Sequence, residues 1–307
     1  MSRQAELAAA YSAARPRLVR VAYAVLGSTA EAEDVVSDSW LRLVDADARE
    51  AVTDVEGWAV VAVARRALDV LRSARARRET YVGPWLPEPL VGPAHGAARV
   101  GAAPADDVAD PADRVTLDET VGFALLVVLE SLSPAERTAF VLHDLFGLPF
   151  PEVAAVVGRS PAAVRQLAAR ARAHVAERAP RFPVDRAAHA AALEAFLAAA
   201  AGGDLAALLA VLDPDVVLTS DGGGQVSAAR RPVVGADRVA RFLLGIAGRL
   251  HDGQRLVLAP VNGLPGLLVL DGDRPYLVGS LTVTGGRVQR VDLVLAPDKL
   301  RGVAGLG

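Results

Sequence analysis

The 307-residue sequence contains no cysteine, so disulfides and thiolate metal sites are both excluded. Its five histidines show no ligand spacing, and neither a metal nor another cofactor is expected. Aromatic residues make up only 5% of the chain, and Lys299 is its single lysine. Long apolar runs are missing as well. The stretch Phe123 to Leu129 lasts seven residues, far short of the roughly 20 that span a bilayer. The first residues, MSRQAELAAAYSAARPR, carry no apolar core of a signal peptide. A cytoplasmic protein without membrane contact is therefore expected.

Net charge is also small, −3, which taken alone argues against a nucleic-acid partner. The charges are segregated, however. Glu31 to Glu50 holds seven acidic residues and two arginines, whereas Arg65 to Arg78 holds six arginines and one aspartate. Phosphate binding depends on a local face rather than on the total.

The most informative stretch is PFPEVAAVVGRSPAAVRQLAARARAHV, residues 149–175. A short helix is predicted from Phe150 to Val157, with Gly158 where a terminating helix favours positive φ. Ser160 then stands at an N-cap and Pro161 at the first helical position. The second helix buries Val164, Leu167, Ala168, Ala171 and Val175 and leaves Arg165, Gln166, Arg170 and Arg172 outside. This is the pattern of a helix-turn-helix. The plainer alternative is a helical hairpin with solvated arginines, and the rest of the chain must decide between them.

Upstream, a helix or helix pair is predicted over 4–26. A second helix over about 30–44 buries Ala32, Val35, Val36, Leu41 and Val44 and presents Glu33, Asp34, Asp38 and Trp40. A third, over about 54–78, buries Trp58, Val61, Ala62, Leu68 and Leu71 and ends in the arginine cluster. Residues 81–111 are rich in Gly, Pro and Ala and read as an extended linker. Within it lies Trp85-Leu86-Pro87-Glu88-Pro89. Prolines preset an extended conformation around an indole that gains nothing in water, so this segment is expected to dock.

After Pro183 two alanine-rich helices are predicted, Asp185 to Ala201 and Asp204 to Leu212. A strand candidate at Val216 to Leu218 follows, then the run Asp221-Gly222-Gly223-Gly224-Gln225. A helix over about 236–248 precedes four strand-like runs, the last two joined by Gly285-Gly286, a two-residue hairpin signal. An α+β domain of helices and a curved antiparallel sheet follows from this order.

The segments EAEDVVSDSWLRLV (31–44) and EGWAVVAVARRALDVLRSARARR (56–78) resemble region 2 of bacterial extracytoplasmic-function (ECF) sigma factors. LSPAERTAFVLHDLFGLPFPEVAAVVG together with the helix-turn-helix resembles their region 4. The C-terminal part resembles a SnoaL-like cone. The motifs WLPEP, DGGGQ and APDKL are similar to those of the ECF subgroup with a SnoaL-like extension, where the usual forms are DGGGK and NPDKL. Gln225 and Ala296 are the departures.

The resemblance implies two all-α sigma domains and a C-terminal SnoaL-like α+β cone. Region 2 spans 1–80, a linker 81–112, region 4 113–181 and the regulatory cone 185–307. The implied partners are RNA polymerase core, through Glu33, Asp34, Asp38 and Trp40 on the β′ clamp helices, and promoter DNA. Arg65, Arg66, Asp69, Arg72 and Arg75 would meet the −10 element, although many relatives carry an asparagine near Arg66. Ser160, Arg165, Gln166, Arg170 and Arg172 would meet the −35 element. Arg and Gln suit guanine and adenine edges respectively. The extension would act in cis, with residues 221–225 and Asp298-Lys299-Leu300 meeting residues 85–89 and Lys299 pairing with Glu88. The sequence leaves open whether the cone takes a small ligand.

Two other readings compete. One is a helix-turn-helix regulator with a ligand-binding C-terminal domain, which leaves residues 31–78 unexplained. The other is a cyclase- or isomerase-like enzyme fused to a DNA-binding module. For that enzyme, His189, His251, Asp221 and Asp292 are the available acid–base groups, and no pattern singles them out.

Overall fold

The computed structural model describes residues 2–78, 81–92, 122–178, 185–251 and 253–303. Two compact units divide the chain. One comprises residues 1–80 and 128–178, the other 81–127 and 179–307.

In the first unit, helix α1 (Arg3–Leu26) is capped by the Ser2 hydroxyl and ends at Gly27, whose φ of 70° suits glycine. It is a single helix, although Pro16 lies inside it. Ser28 caps α2 (Thr29–Arg49) by accepting from the Glu31 N–H, and the Asp54 carboxylate accepts from the Gly57 N–H at the start of α3 (Val55–Arg78). Leu18, Val21, Val36, Leu43, Val63 and Leu68 are buried in this unit.

Two of the expected burial phases are corrected. Leu41 is 66% exposed and Leu43 takes the core position. On α3 the buried positions are Ala59, Val60, Val63, Ala64, Ala67, Leu68 and Leu71, while Trp58, Val61 and Ala62 are half-buried. On α3 so many residues are apolar that periodicity alone leaves the phase ambiguous by a residue, and packing resolves it. On α2, Leu43 lies seven residues beyond the buried Val36 and keeps the core face that Leu41 leaves.

Helix α4 (Phe123–Leu129) leads to Ser133, which forms a capping box with Glu136 at the start of α5 (Pro134–Phe140). A π-helical turn, Val141–Leu145, follows. The helix-turn-helix consists of α6 (Phe150–Val157) and α7 (Pro161–Arg178). Gly158 has φ 71° and the Ser160 hydroxyl accepts from the Ala163 N–H, as the turn chemistry predicts.

Arg137 is the largest fully buried side chain of this unit. It is 1% exposed, donates to the Ala24 carbonyl from Nε (3.3 Å) and Nη2 (3.2 Å), and is ion-paired with Glu130. Removing one partner of a buried charge pair strands the other.

In the second unit, α8 (Arg186–Ala201), α9 (Leu205–Val211) and α10 (Ala236–Ala247) cover one face of a six-stranded sheet. The strands are β1 (Leu212–Asp221), β2 (Val233–Val234), β3 (Gln254–Val261), β4 (Leu264–Asp271), β5 (Arg274–Thr284) and β6 (Arg287–Val294), in the order β2-β1-β6-β5-β4-β3. The sheet is antiparallel except where β1 runs parallel to β6. This is the SnoaL-like α+β arrangement implied by the resemblance. The β3–β4 and β5–β6 turns have positive φ at both residues, Asn262-Gly263 and Gly285-Gly286, the requirement of a two-residue type I′ hairpin.

Both faces of the sheet are covered, so its strands read as continuous apolar runs rather than alternating ones. Val216, Leu218, Leu267, Val269, Val291 and Leu293 pack under the helices. Leu268, Leu270, Val278 and Val294 face the other way and pack against Leu86, Phe123, Leu300 and Val303. The linker and the chain's C-terminal turn (Arg301–Val303) thus supply the second layer.

Replacing Arg137 by Ala is expected to destabilise the first unit by about 3–5 kcal/mol, since Glu130 and the Ala24 carbonyl lose their buried partner. Urea unfolding of the full chain would register this as a lower midpoint. A change within about 0.5 kcal/mol, the range of neutral surface substitutions, would show that Arg137 carries no structural charge pairing.

Candidate functional site

The acidic helix α2 presents Glu33, Asp34 and Asp38 as exposed side chains. The spacing Asp34, Asp38, Leu41 puts these three on one stripe, so the exposed Leu41 belongs to the acidic face rather than to the core. Trp40 is half-buried with its ring 5.3 Å from that of Tyr11. It is neither a free aromatic anchor nor a full core residue. Burial pushes the Tyr11 hydroxyl up to about 12, where it stays protonated and donates to the Val36 carbonyl. That bond fixes the platform under Trp40. Glu33 is ion-paired with Arg15 and Asp38 lies 3.8 Å from Arg66.

The described arginine side chains of α3, Arg65, Arg66 and Arg72, are not free cations. Arg65 donates to the Ala155 carbonyl of α6 at 2.7 Å, and Arg72 lies 3.4 Å from Asp69. The side chain of Arg75 lies outside the described residues, as do the linker beyond Gly92 and residues 113–121 and 179–181.

On α7, Arg165 and Gln166 are exposed. The Arg165 guanidinium stands 5.4 Å above the Phe150 ring, and that ring stacks on His143 at 3.8 Å. The π-helical turn thus supports the side chain that begins the exposed face. Arg170 donates to Glu136 and Arg172 lies against Asp144, each at 2.8 Å. Hydrogen bonding from Ser133, and then from Arg170, holds the Glu136 carboxyl below its ordinary value. Burial, only partly offset by Arg172, raises that of Asp144. Sequence reasoning placed Arg170 and Arg172 correctly on the outer face but missed their carboxylate partners, which lie 28–34 residues away.

The most tightly built polar cluster is in the second unit. Asp221, the last residue of β1, is fully buried. Its Oδ1 accepts from the Tyr81 hydroxyl (2.7 Å) and the Gly223 N–H (3.0 Å). Its Oδ2 accepts from the Leu86 N–H (2.8 Å) and Lys299 Nζ (2.6 Å). The Lys299 ammonium, 6% exposed, also donates to the Leu86 carbonyl at 2.5 Å and lies 3.9 Å from the Trp85 ring centre. A desolvated cation–π contact of this kind is worth ~2 kcal/mol. The Lys299 ammonium thus engages the Asp221 carboxylate, a partner not considered from the sequence. Charge-assisted bonds on both oxygens and a π face on the ammonium offset the cost of burying two ions.

The glycines beside Asp221 make room for the linker. Gly223 and Gly224 have φ of 64° and 70°, and a Cβ on Gly224 would lie 3.2 Å from Cβ of Val82. Further along, Asn262 accepts from the Leu90 N–H through its side chain and donates its own N–H to the Leu90 carbonyl. Val91 bridges Val261, and the Gly92 N–H donates to the Pro260 carbonyl. Of the expected contacts, the structure brings together Trp85, Leu86, Asp221, residues 222–224, Lys299 and Leu300. Gln225 is exposed. Tyr81 and Asn262 were missed. An aromatic in a Gly/Pro segment and an Asn-Gly turn were the available signals.

The other acid–base candidates are accounted for structurally. His189 is buried and bonded to the Pro265 carbonyl, and burial lowers its pKa. Burial raises the Asp292 carboxyl, which receives both bonds from Arg290.

Two predictions follow from this geometry. Asp221→Leu and Lys299→Met should each cost about 3–5 kcal/mol in the urea unfolding of the full chain, because each strands a buried charge. The double variant should cost clearly less than the sum; additive costs would show that the pair is uncoupled. The second concerns acid. A depressed carboxyl contributes stability above its ordinary value, near about 4.3, that is lost as pH falls through the depressed folded value. Glu136→Gln should therefore flatten the fall of stability below about pH 4. An unchanged acid limb would remove Glu136 from that role.

The model of sigma-70 region 2 matches residues 10–77, and that of sigma-70 region 4 matches residues 122–175. The chain is 41% identical over 302 residues to the ECF RNA polymerase sigma factor SigJ of Mycobacterium tuberculosis, covering 95% of this chain and 92% of that protein. It is 37% identical over 301 residues to the probable ECF RNA polymerase sigma factor SigI of the same species, covering 98% and 97%. The crystal structure of M. tuberculosis SigJ superimposes with a TM-score of 0.73 at 38% identity, over 96% of this chain and 98% of that one. The chain therefore belongs to the ECF RNA polymerase sigma factors, which are not enzymes but initiation factors acting with RNA polymerase core on promoter DNA.

Proposed function

We propose that the SnoaL-like domain regulates this sigma factor in cis by holding the segment that joins its two sigma regions. The observation that carries this reading is the buried Asp221–Lys299 pair closed by the linker backbone at Leu86. A domain tethered to its own target works at high effective concentration, so contacts of modest strength suffice to control it. Residues 1–80 take the region 2 role, 81–112 the linker, 113–181 region 4 and 185–307 the regulatory part.

Within this assignment the stripe of Glu33, Asp34, Asp38 and Leu41, with Trp40 beside it, docks on the β′ clamp helices. An acidic face with an apolar centre complements a basic helical hairpin. Arg65, Arg66, Asp69, Arg72 and Arg75 serve the −10 element. Ser160, Arg165, Gln166, Arg170 and Arg172 serve the −35 element, Arg165 and Gln166 being the base readers. Arg170 and Arg172 exchange their carboxylate partners for phosphates. The protein works in the cytoplasm.

Transcription in vitro with core polymerase tests the reading. Arg165→Ala should lower output from promoters carrying the preferred −35 sequence by roughly ten-fold or more, the loss of one bidentate base contact. Core binding should persist. Removing residues 185–307, or altering Asp298-Lys299-Leu300, should change promoter-directed output. If neither changes output or core binding, regulation by the extension is wrong. Failure to bind core polymerase would instead favour a free-standing helix-turn-helix regulator.

A further inference from the structure

The helix-covered face of the sheet does not fill completely. At the end of the domain where β1 and β6 finish, a cavity of about 600 Å³ opens between the sheet and α10. Its apolar lining includes Phe242, Ile246 and Leu295. A space of this size, with an apolar part and a polar part that includes Ser220, Arg241, Arg249, His251 and Asp271, is that of a small-molecule site.

Three observations indicate what it takes. Gly245, in the body of α10, lines the cavity, and a Cβ there would meet nothing within 4 Å. Glycine is among the poorest helix formers, and its backbone here needs no positive φ. Its effect at this position is to leave space. The charges around the space are also unequal. Arg241 is held bidentately by Asp237, and His251 faces Asp271 at 4.0 Å. Arg249 has no ion-pair partner among the described residues. Finally, Ser220 is buried on the cavity floor, its hydroxyl accepting from the Ala229 N–H at 2.8 Å. Its own proton remains to be donated. A guanidinium with no ion-pair partner among the described residues and a hydroxyl donor, set beside the apolar part of the lining, suit an anion on an apolar body.

We infer that this cavity is a binding site for a small amphipathic organic anion, with Arg249 and Ser220 meeting the carboxylate class of head group and the wall around Gly245 its apolar part. The site also has a route to the linker. Ser220 faces the cavity, and the next residue, Asp221, holds Tyr81, Leu86 and Lys299. Leu295, on the cavity wall, donates its N–H to the Asp221 carbonyl at 2.7 Å. An occupant pressing on this strand end acts on the residue that clamps the linker. Only this coupling, not the binding, rests on the cis-regulatory reading.

The test uses the full chain and anilinonaphthalene sulfonate as a fluorescent probe, with dodecanoate and dodecylammonium as competitors. Dodecanoate should displace the probe and dodecylammonium should not. Gly245→Phe, which fills the space, should abolish probe binding, and Gly245→Ala should retain it. Arg249→Gln, an exposed change that leaves the core intact, should weaken dodecanoate about ten-fold, one charge-assisted contact. Equal displacement by both amphiphiles, or unchanged dodecanoate affinity in Arg249→Gln, overturns the site. So does undiminished probe binding by a folded Gly245→Phe. Chymotryptic cleavage at Tyr81 and Trp85, followed by mass spectrometry, reads the coupling. Dodecanoate should change the cleavage rate. Binding without such a change leaves the site standing and overturns its link to the linker.

Discussion

The second unit depends on one buried carboxylate. Asp221 ends β1 at zero exposure, and an ionised carboxylate there is tolerable only if every lone pair is met. Two of its four side-chain donors, Tyr81 and Leu86, come from the linker, one from the adjoining glycine turn and one from Lys299 near the C-terminus. Releasing residues 81–86 would therefore take two donors from Asp221 and the Leu86 carbonyl and Trp85 ring from Lys299, and would open the ion pair to water. By the same logic the linker is part of the domain's core. Leu86 packs with Leu268, Val278 and Leu300 on the sheet face that the helices do not cover, so apolar burial and charge pairing hold the same segment.

The first unit obeys a related rule on its surface. In a chain of net charge −3, exposed arginines of α3 and α7 keep carboxylates beside them. Glu136 and Asp144 hold Arg170 and Arg172 at 2.8 Å, and Asp69 lies within 3.4 Å of Arg72. Exposed pairs of this type contribute little to stability. Their larger effect is on charge density: in the proposed promoter-binding role, phosphates would compete with an internal carboxylate, which would lower sequence-independent attraction while Arg165 and Gln166 stay exposed.

Local chemistry made much of the fold legible. Gly158, Ser160 and Pro161 set the turn of the helix-turn-helix, Gly27 and Ser28 the break between α1 and α2, and Gly285-Gly286 the last hairpin, because each acts through its own backbone. What could not be read is non-local. Tyr81 and Asp221 are 140 residues apart and Leu90 and Asn262 are 172 apart; no periodicity encodes such partners. The parallel placement of β1 beside β6 is of the same kind. The Leu41 phase failed for a different reason. Leu43 lies seven residues beyond the buried Val36 and shares its face, whereas Leu41 lies seven beyond the exposed Asp34, so the spacing itself favours Leu43 and the expectation misjudged it.

The departures from the subgroup's motifs can now be weighed. Where the usual third-domain motif ends in lysine this chain has Gln225, and where the tail motif begins with asparagine it has Ala296. Gln225 is exposed, and its N–H merely closes the turn on the Gly222 carbonyl at 3.0 Å. Ala296 is buried beside Gly223, whose absent Cβ would lie 3.1 Å from it, and it contributes its N–H to the Asp221 carbonyl, a donor that alanine and asparagine both carry. Neither position supplies a charge to the clamp. The residues that do, Asp221 from the first motif and Lys299 from the second, are both present, and the backbone of Leu86 in the linker motif joins them. Substitution at 225 and 296 therefore alters the rim of the clamp while the ion pair at its centre keeps its partners.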